Sequence, residues 1–123
     1  MAACGPILVV DDEFSIVETL AEILSWEGYK VAVAQNGKRA LDVVAREKPS
    51  LILLDFMMPV MDGLQFLKKL RSDPAFRDVP VTLMTAAALP PAPPQDARWD
   101  AVLRKPFELP VLLNLVRRLA GAP

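Results

Sequence analysis

Histidine is absent from this sequence of 123 residues. Its absence excludes Ser-His-Asp and Cys-His nucleophile pairs, metal sites ligated by histidine, and a histidine that carries a phosphoryl group. A metal ion held by this chain would therefore have oxygen ligands, which favours Mg²⁺ or Ca²⁺.

Cysteine, excess charge and long apolar stretches are also scarce. The one cysteine, Cys4, rules out an internal disulfide and suggests a reducing compartment. The 14 basic and 15 acidic residues leave a net charge of −1, too little positive charge for a nucleic-acid surface. The apolar runs are far shorter than the ~18 residues of a membrane span, and the N-terminus lacks the basic residues of a signal peptide. We therefore expect a cytoplasmic protein that binds neither a membrane nor nucleic acid directly.

What the sequence does contain is an alternation of two apolar patterns. Five short, mostly apolar runs are present at residues 7–10, 31–34, 51–54, 81–84 and 101–103. Such runs are typical of strands buried on both faces of a parallel sheet, and the stretches between them have helical spacing. Strand alternating with helix predicts an α/β fold with a doubly wound five-stranded parallel sheet. We expect one domain over residues 1–123, with residues 1–6 flexible.

Helix boundaries are indicated by capping residues. Ser15 with Glu18 predicts a capping box at the start of the first helix, and Gly28 predicts its end. The pairs Asn36-Gly37 and Asp62-Gly63 precede the next two helices. The helical spacing therefore begins directly after residues that cap helices well.

The gap between the fourth and fifth predicted strands lacks a helical pattern. Four prolines occur within residues 90–94, and each interior proline costs a helix about 3 kcal/mol. We therefore expect the helix over residues 86–99 to be shortened or replaced by an extended proline-rich loop, with at most a short turn that starts near Pro94. A surface linker without a specific role is an equally good interpretation.

Polar side chains follow four of the five predicted strands. They are Asp11, Asp12 and Glu13 after the first strand, Asp55 after the third, Thr85 after the fourth and Lys105 after the fifth. The carboxyl ends of parallel strands lie along one edge, where open α/β folds bind ligands, so these groups should meet. Mg²⁺ relieves the repulsion between crowded carboxylates, and ammonium and hydroxyl groups suit phosphoryl oxygens. Because a carboxylate can attack phosphorus, the pattern predicts phosphoryl transfer to Asp55.

Four short segments carry a more specific signal. They are Val9-Val10-Asp11-Asp12-Glu13, Leu54-Asp55-Phe56-Met57-Met58-Pro59-Val60-Met61-Asp62-Gly63, Met84-Thr85-Ala86 and Lys105-Pro106-Phe107. With these segments the chain resembles the response regulator receiver domains of two-component signalling, over nearly its whole length. The resemblance is to stand-alone receivers of the chemotaxis type, and it implies the flavodoxin-like strand order 2-1-3-4-5.

The resemblance also implies a set of Mg²⁺ ligands. Asp12 and the phosphoacceptor Asp55 would bind the ion directly, and Asp11 would bind it through water. The backbone carbonyl of Met57 would complete the ligands from the protein.

The remaining roles concern the phosphoryl group and the loop beside it. Thr85 would bind a phosphoryl oxygen after transfer, and Lys105 would pair with the phosphate. The Lys105-Pro106 bond is cis in many relatives, which would aim the lysine inward. Pro59 and Gly63 would shape the loop after the phosphoacceptor.

The chain departs from the pattern of the family in three places. Val102 stands where an aromatic residue is common, Trp99-Asp100 replaces small residues, and the proline-rich segment takes the place of a helix. None of these departures removes a catalytic group. They put the usual coupled movement of threonine and aromatic side chains in doubt.

The resemblance therefore favours a signalling phosphoacceptor, which catalyses only its own phosphorylation and dephosphorylation. A histidine kinase or a histidine phosphotransfer protein would be its phosphodonor, and an unidentified protein its downstream target. The alternatives are a pseudo-receiver that only binds partners, a flavin-binding electron carrier and an aspartyl-phosphate phosphohydrolase. The phosphohydrolase would need an acid where Met57 stands, and the flavin carrier would need a Ser/Thr/Gly-rich loop after the first strand.

Overall fold

The chain folds as alternating strands and helices. A computed structural model describes residues 5–58, 60–89 and 91–123. Within these ranges the elements are β1 (Ile7–Val10), α1 (Phe14–Trp26), β2 (Val31–Ala34), α2 (Gly37–Arg46), β3 (Leu51–Asp55), α3 (Gly63–Ser72), β4 (Val81–Thr85), β5 (Ala101–Arg104) and α4 (Leu109–Ala120). Short 3₁₀ turns, Pro74–Phe76 and Gln95–Ala97, precede β4 and β5. None of the described helices has the length and apolar character required to span a membrane.

The five strands form one parallel sheet in the order β2-β1-β3-β4-β5. This arrangement confirms the predicted doubly wound sheet and its 2-1-3-4-5 strand order. All side chains of β1, β3 and β4 are buried, as the uninterrupted apolar runs indicate. Val10 pairs with Leu54, and Thr85 pairs with Arg104, so these strands end along the same edge of the sheet.

Apolar side chains cover both faces of the sheet. Because neighbouring strand residues face opposite sides, Ile7 and Val9 pack with α1 and α4, whereas Leu8 and Val10 pack with α2 and α3. Phe66 of α3 is fully buried in the apolar cluster on the α2–α3 side of the sheet. The two layers of helices hold the strand ends in fixed positions, which is what a site built from separate strands requires.

The N-terminal segment enters β1 along a tight path. Residues 1–4 of the stretch 1–6, expected to be flexible, lie outside the described residues. Pro6 is buried, and its carbonyl accepts a hydrogen bond of 2.9 Å from the backbone N of Ser50. A Cβ atom on Gly5 would lie 2.1 Å from the backbone oxygen of Lys48, so only glycine fits there.

The start of α1 differs from the prediction. The expected capping box of Ser15 and Glu18 is wrong, because α1 begins at Phe14 and Ser15 lies within its first turn. The residue before the helix is Glu13, whose backbone N donates a 3.0 Å hydrogen bond to Asp11 Oδ1. A carboxylate from the end of β1 thus satisfies an amide at the start of the helix.

The next two helices begin where their capping residues indicate. Asn36 caps α2, since its side chain accepts a 2.9 Å hydrogen bond from the backbone N of Arg39. Asp62 and Gln65 form a reciprocal capping box at the start of α3. Local side-chain hydrogen bonds therefore set both starts.

The segment between β4 and β5 contains a short turn in place of a helix. In its described residues, 86–89 and 91–100, the one helical element is the 3₁₀ turn Gln95–Ala97. Pro94 precedes this turn with φ −60° and ψ 149°, the polyproline conformation. Pro90 lies outside the described residues. The single short turn confirms the prediction that a loop replaces the helix. Ala97 and Trp99 are buried against the α2–α3 side of the core.

Arg71, in the last turn of α3, connects this segment to the rest of the domain. Its side chain is 6% exposed and lies 3.3 Å from the carboxylate of Asp100, which also accepts a 2.8 Å hydrogen bond from the backbone N of Val81. The guanidinium also donates to the backbone oxygens of Phe76, Arg77, Val79 and Arg98. Burial, with the nearby charge of Arg98, lowers the pKa of Arg71.

Replacing Thr82 with valine should stabilise the protein. Thr82 is fully buried, and its hydroxyl has no hydrogen-bond partner among the described residues. A buried unsatisfied hydroxyl costs about 1–3 kcal/mol, so Thr82→Val should raise the free energy of unfolding by about 1 kcal/mol. Urea denaturation measures the change. Thr19→Val is the control, because its exposed hydroxyl donates to the carbonyl of Ser15 and its removal should not stabilise. A destabilised Thr82→Val protein would contradict the prediction.

Candidate functional site

Three carboxylates meet at the carboxyl edge of the sheet. Asp11 and Asp12 follow β1, and Asp55 is the last residue of β3. One carboxylate oxygen from each lies within 4.8 Å of the others, with Asp11 and Asp55 buried and Asp12 exposed. The fold thus brings together three groups that are far apart in the sequence.

The electrostatics of this cluster suit a divalent cation. Burial and the neighbouring carboxylate of Asp11 raise the pKa of Asp55 from 3.8 to about 6, although the charge of Lys105 and a hydrogen bond from the backbone of Met57 lower it. Burial and like charge therefore disfavour the ionised form of Asp55 even beside Lys105. Closely spaced carboxylate oxygens are the hard ligands that Mg²⁺ prefers, so the cluster can hold that ion.

Lys105 supplies a positive charge at the same place. Its Nζ lies 3.2 Å from Asp11 Oδ2 and 3.5 Å from Asp55 Oδ1. Desolvation lowers the pKa of Lys105, but the two carboxylates outweigh it and the pKa is raised above 10.5, so the ammonium stays charged. The Lys105-Pro106 peptide bond is cis.

Thr85 places a hydroxyl beside these charges. Thr85 is buried at the end of β4, and its backbone oxygen accepts a 3.0 Å hydrogen bond from the backbone N of Lys105. Its Oγ1 accepts a 2.9 Å hydrogen bond from the backbone N of Ala87. The proton of the hydroxyl therefore remains available for another oxygen.

A cavity of about 380 Å³ opens over these groups. Its lining consists of Asp12, Glu13, Asp55, Met57, Thr85, Ala86, Ala87 and Lys105. A larger apolar groove, of about 580 Å³, lies between α1 and α4 and shares only Ala86 and Lys105 with this site. The smaller cavity is the candidate functional site, because it is lined by two of the three clustered carboxylates together with the hydroxyl and the ammonium.

The loop after β3 borders this site. The side chain of Met57 is 64% exposed at the rim of the cavity. Pro59 lies outside the described residues. A Cβ atom on Gly63 would lie 3.1 Å from the backbone oxygen of Asp55, so glycine allows α3 to start close to the site.

One contact beside the site was not indicated by the sequence. The guanidinium of Arg104 donates a hydrogen bond to the backbone oxygen of Ala87, which belongs to the loop after Thr85. In the sequence, Arg104 is only the residue before Lys105. Its pairing with Thr85 in the sheet is what brings it to the loop, so the strand register was the signal that could have found it.

Asp55→Asn should make the metal-free protein more stable at pH 7, because it removes a buried charge from beside Asp11. Folding raises the pKa of Asp55 from 3.8 to about 6, so the folded protein prefers the protonated carboxyl. Ionisation of Asp55 therefore lowers the free energy of unfolding of the wild type as the pH rises from about 4 to about 6. We expect the variant to gain about 1–3 kcal/mol at pH 7 and nothing near pH 4, in urea denaturation with EDTA.

Adding Mg²⁺ should reduce or reverse this difference. The ion stabilises the folded state to which it binds, and Asp55→Asn lacks one of the three carboxylates. Asp42→Asn, an exposed acid on α2, is the control and should behave as the wild type. If the metal-free Asp55→Asn protein were less stable than the wild type at pH 7, repulsion within the cluster would be disproved.

Comparison with known proteins places this site in a family. Residues 7–117 match the response regulator receiver domain. The response regulator MprA of Mycolicibacterium vanbaalenii is 42% identical over 115 residues, which are 92% of this chain and 49% of that protein. The chain thus spans about half the length of the curated relatives it matches.

Solved structures give the same result. The chemotaxis protein CheY4 of Vibrio cholerae is 30% identical with a TM-score of 0.85, covering 95% of this chain and 99% of that one. The receiver domain of the sensor histidine kinase PA1611 of Pseudomonas aeruginosa, with a magnesium ion coordinated in its active site cleft, is 27% identical with a TM-score of 0.79, covering 97% of this chain and all 100% of that one. Fold and sequence together show that this chain belongs to the response regulator receiver domains of two-component systems.

Proposed function

We propose that this receiver accepts a phosphoryl group on Asp55 in a reaction that requires Mg²⁺. The observation that carries the proposal is the position of Asp55, which ends a buried central strand beside Asp11 and Lys105 and lines an open cavity. A buried carboxylate with a raised pKa in a cleft is a group poised for chemistry. Phosphorylation would make the domain a switch or a relay.

The acidic cluster would hold the metal ion. Asp12 and Asp55 would bind Mg²⁺ directly, Asp11 through water, and Met57 through its backbone carbonyl. When bound, the ion supplies positive charge to the phosphoryl oxygens and relieves the repulsion between the carboxylates. The magnesium ion in the receiver domain of PA1611 supports this assignment.

The transfer itself exchanges one bond to phosphorus for another. A carboxylate oxygen of Asp55 attacks the phosphorus of a phosphohistidine while the bond from phosphorus to the imidazole nitrogen breaks. The products are an aspartyl phosphate and a histidine that recovers its proton from solvent. Lys105 neutralises charge on the phosphoryl oxygens, and the free hydroxyl proton of Thr85 donates to one of them.

The partners follow from this chemistry. The phosphodonor would be a histidine kinase or a histidine phosphotransfer protein, because the chain belongs to the receiver domains of two-component systems. The phosphohistidine would lie on that partner, since this chain has no histidine. The output would pass to a downstream protein through a changed surface. We assign all of residues 1–123 to one receiver domain, which acts as a signalling phosphoacceptor and not as an enzyme on other molecules.

Intact-mass spectrometry tests the proposal. Incubation with Mg²⁺ and acetyl phosphate should add the mass of one phosphoryl group, and EDTA should prevent the addition. A sample with Mg²⁺ but no acetyl phosphate is the control. Failure to gain mass with either Mg²⁺ or Mn²⁺ would contradict the proposal.

The aspartyl phosphate should be long-lived, because two positions that flank the phosphoacceptor in the cavity lining carry no side chain that could orient an attacking water. Two lining positions, Met57 and Ala87, offer no polar group. Met57→Asn or Ala87→Glu should shorten the lifetime of the aspartyl phosphate roughly tenfold. This effect is smaller than the usual rate contribution of a well-positioned general acid or base. The decay of the added mass after removal of the donor measures it.

Val60→Asn is the matched control for Met57→Asn. Val60 is an exposed apolar residue of the same loop, 78% accessible, and it does not line the cavity. Its substitution should leave the lifetime unchanged. Equal lifetimes in all four proteins would show that the two lining positions do not control water attack.

A further inference from the structure

The peptide groups around Ala87 are held from two sides. The N–H of Ala87 donates to Thr85 Oγ1 at 2.9 Å, and the carbonyl of Ala87 accepts a hydrogen bond from the guanidinium of Arg104. Thr85 and Arg104 are themselves paired residues of β4 and β5. Thr85, Ala87 and Arg104 are therefore each in contact with the other two, at the edge of the candidate site.

Two hydrogen bonds and the packing of Leu89 against the core hold this loop in place. Ala86, Ala87 and Ala88 are exposed, and their small side chains have no polar groups. Between described residues, the two contacts of Ala87 are the hydrogen bonds that join residues 86–89 to the rest of the protein. Loss of the Arg104 contact would release the peptide group that follows Ala87, and rotation of the backbone at Ala87 could then carry its N–H away from Thr85.

The orientation of Ala87 matters for the Thr85 hydroxyl. A hydroxyl has one proton, and Thr85 can place its oxygen in more than one staggered position. While Ala87 donates to Oγ1, the oxygen is held on the side of the loop and the proton remains free for an oxygen in the cavity. A fixed loop therefore keeps the hydroxyl ready to donate.

We propose that Arg104 is a positioning residue for phosphoryl acceptance, acting through Ala87 on the hydroxyl of Thr85. This inference rests on the proposed function, in which Thr85 binds a phosphoryl oxygen. Arg104 donates a hydrogen bond to the carbonyl of Ala87, and the N–H of Ala87 donates to Thr85 Oγ1. The hydroxyl of Thr85 would then donate its proton to the phosphoryl group on Asp55.

The end of β5 allows Arg104 and Lys105 to contact different parts of the site. Neighbouring residues of an extended chain point to opposite sides, so Lys105, which follows β5, reaches the carboxylates while Arg104 reaches the loop. The guanidinium presents several donors in a rigid plane, which suits the holding of a backbone carbonyl. Val102, two residues earlier, packs against the α2–α3 cluster and offers the loop no polar group.

The test measures phosphorylation rates of Arg104 variants with Mg²⁺ and acetyl phosphate by intact mass. Arg104→Met should slow the gain of mass roughly fivefold, as expected for the loss of one orienting hydrogen bond. Arg104→Lys keeps one donor that can reach the carbonyl and should recover part of the rate. Arg118→Met, an exposed arginine on α4, is the matched control and should react as the wild type.

A double variant separates positioning from a general effect on the fold. If Arg104 acts through Thr85, Arg104→Met should slow the wild type but have no further effect in a Thr85→Ala background. Independent, multiplicative effects would overturn the inference, because they would show that Arg104 acts by another route. Amide hydrogen exchange should also rise at residues 86–89 in Arg104→Met.

The outcomes distinguish this inference from the function on which it rests. If the wild type gains no mass, the proposed function fails and the inference fails with it. If the wild type gains mass and Arg104→Met gains it at the same rate, only the role of Arg104 is overturned. An unchanged Tm in Arg104→Met with a slower rate would support positioning.

Discussion

Asp55→Asn protein should gain no phosphoryl group under conditions in which the wild type is fully labelled. The amide that replaces the carboxylate has neither its negative charge nor its nucleophilic oxygen, so no acyl phosphate can form. The loss should be complete and not merely partial, because the other two carboxylates have different surroundings. Asp12 is exposed, whereas Asp11 is fully buried, does not line the cavity and accepts a hydrogen bond from the backbone N of Glu13.

Intact mass and peptide mapping measure the labelling. Asp42→Asn, the exposed acid on α2, is the matched control and should be labelled as the wild type. Thermal unfolding in EDTA checks that the Asp55→Asn protein is folded. We expect its Tm to be at least as high as that of the wild type. Labelling of Asp55→Asn to the extent of the wild type would refute the assignment of the phosphoacceptor.

Arg71→Met should remove a large part of the free energy of unfolding. Methionine fills a similar volume but leaves the carboxylate of Asp100 and several backbone oxygens without their buried donor. Removing one partner of a buried ion pair costs about 3–5 kcal/mol, which is a large fraction of the roughly 5–15 kcal/mol that stabilises an ordinary domain. Urea denaturation followed by circular dichroism measures the loss.

Three further variants keep this prediction testable if Arg71→Met does not fold. Arg71→Lys retains the charge but loses the planar set of donors, so it should be destabilised by a smaller amount. Arg71→Met with Asp100→Asn should recover part of the loss, because it also removes the carboxylate that has lost its buried partner and keeps only Arg98 as an ion-pair partner among the described residues. Arg118→Met is the control on an exposed surface. A loss below about 1 kcal/mol in Arg71→Met would show that the network adds little.

The fold was predictable because its signals are local. Runs such as residues 51–54 are apolar at every position, and this pattern occurs where a strand is covered on both faces. The observed strands β3, β4 and β5 each continue one residue further, to Asp55, Thr85 and Arg104. Polar residues end the apolar run there, but the hydrogen bonds of the sheet continue past it, so the pattern marked each strand end one residue early.

The residues of the site were predictable for a related reason. In a parallel sheet, the residue that follows each strand must lie at the same edge, so the sequence positions of Asp11, Asp55 and Lys105 imply that they meet. The capping box of Asp62 and Gln65 is also local, and its three-residue spacing is visible in the sequence. The start of α1 was not, because Asp11 takes part in it from outside the helix.

By itself, then, the sequence determined the layers, the strand order implied by the family and the set of groups at the sheet edge. Only the tertiary structure decided how those groups interact. The pairs Lys105–Asp11 and Arg71–Asp100 are 94 and 29 residues apart, and Arg104 meets Ala87 across 17 residues. Such contacts depend on strand register and on the packing of helices, whereas sequence periodicity reports only neighbours within about one helical turn or two strand positions. The raised pKa of Asp55 has the same origin, since burial and the charge of Asp11 exist only once the sheet has formed.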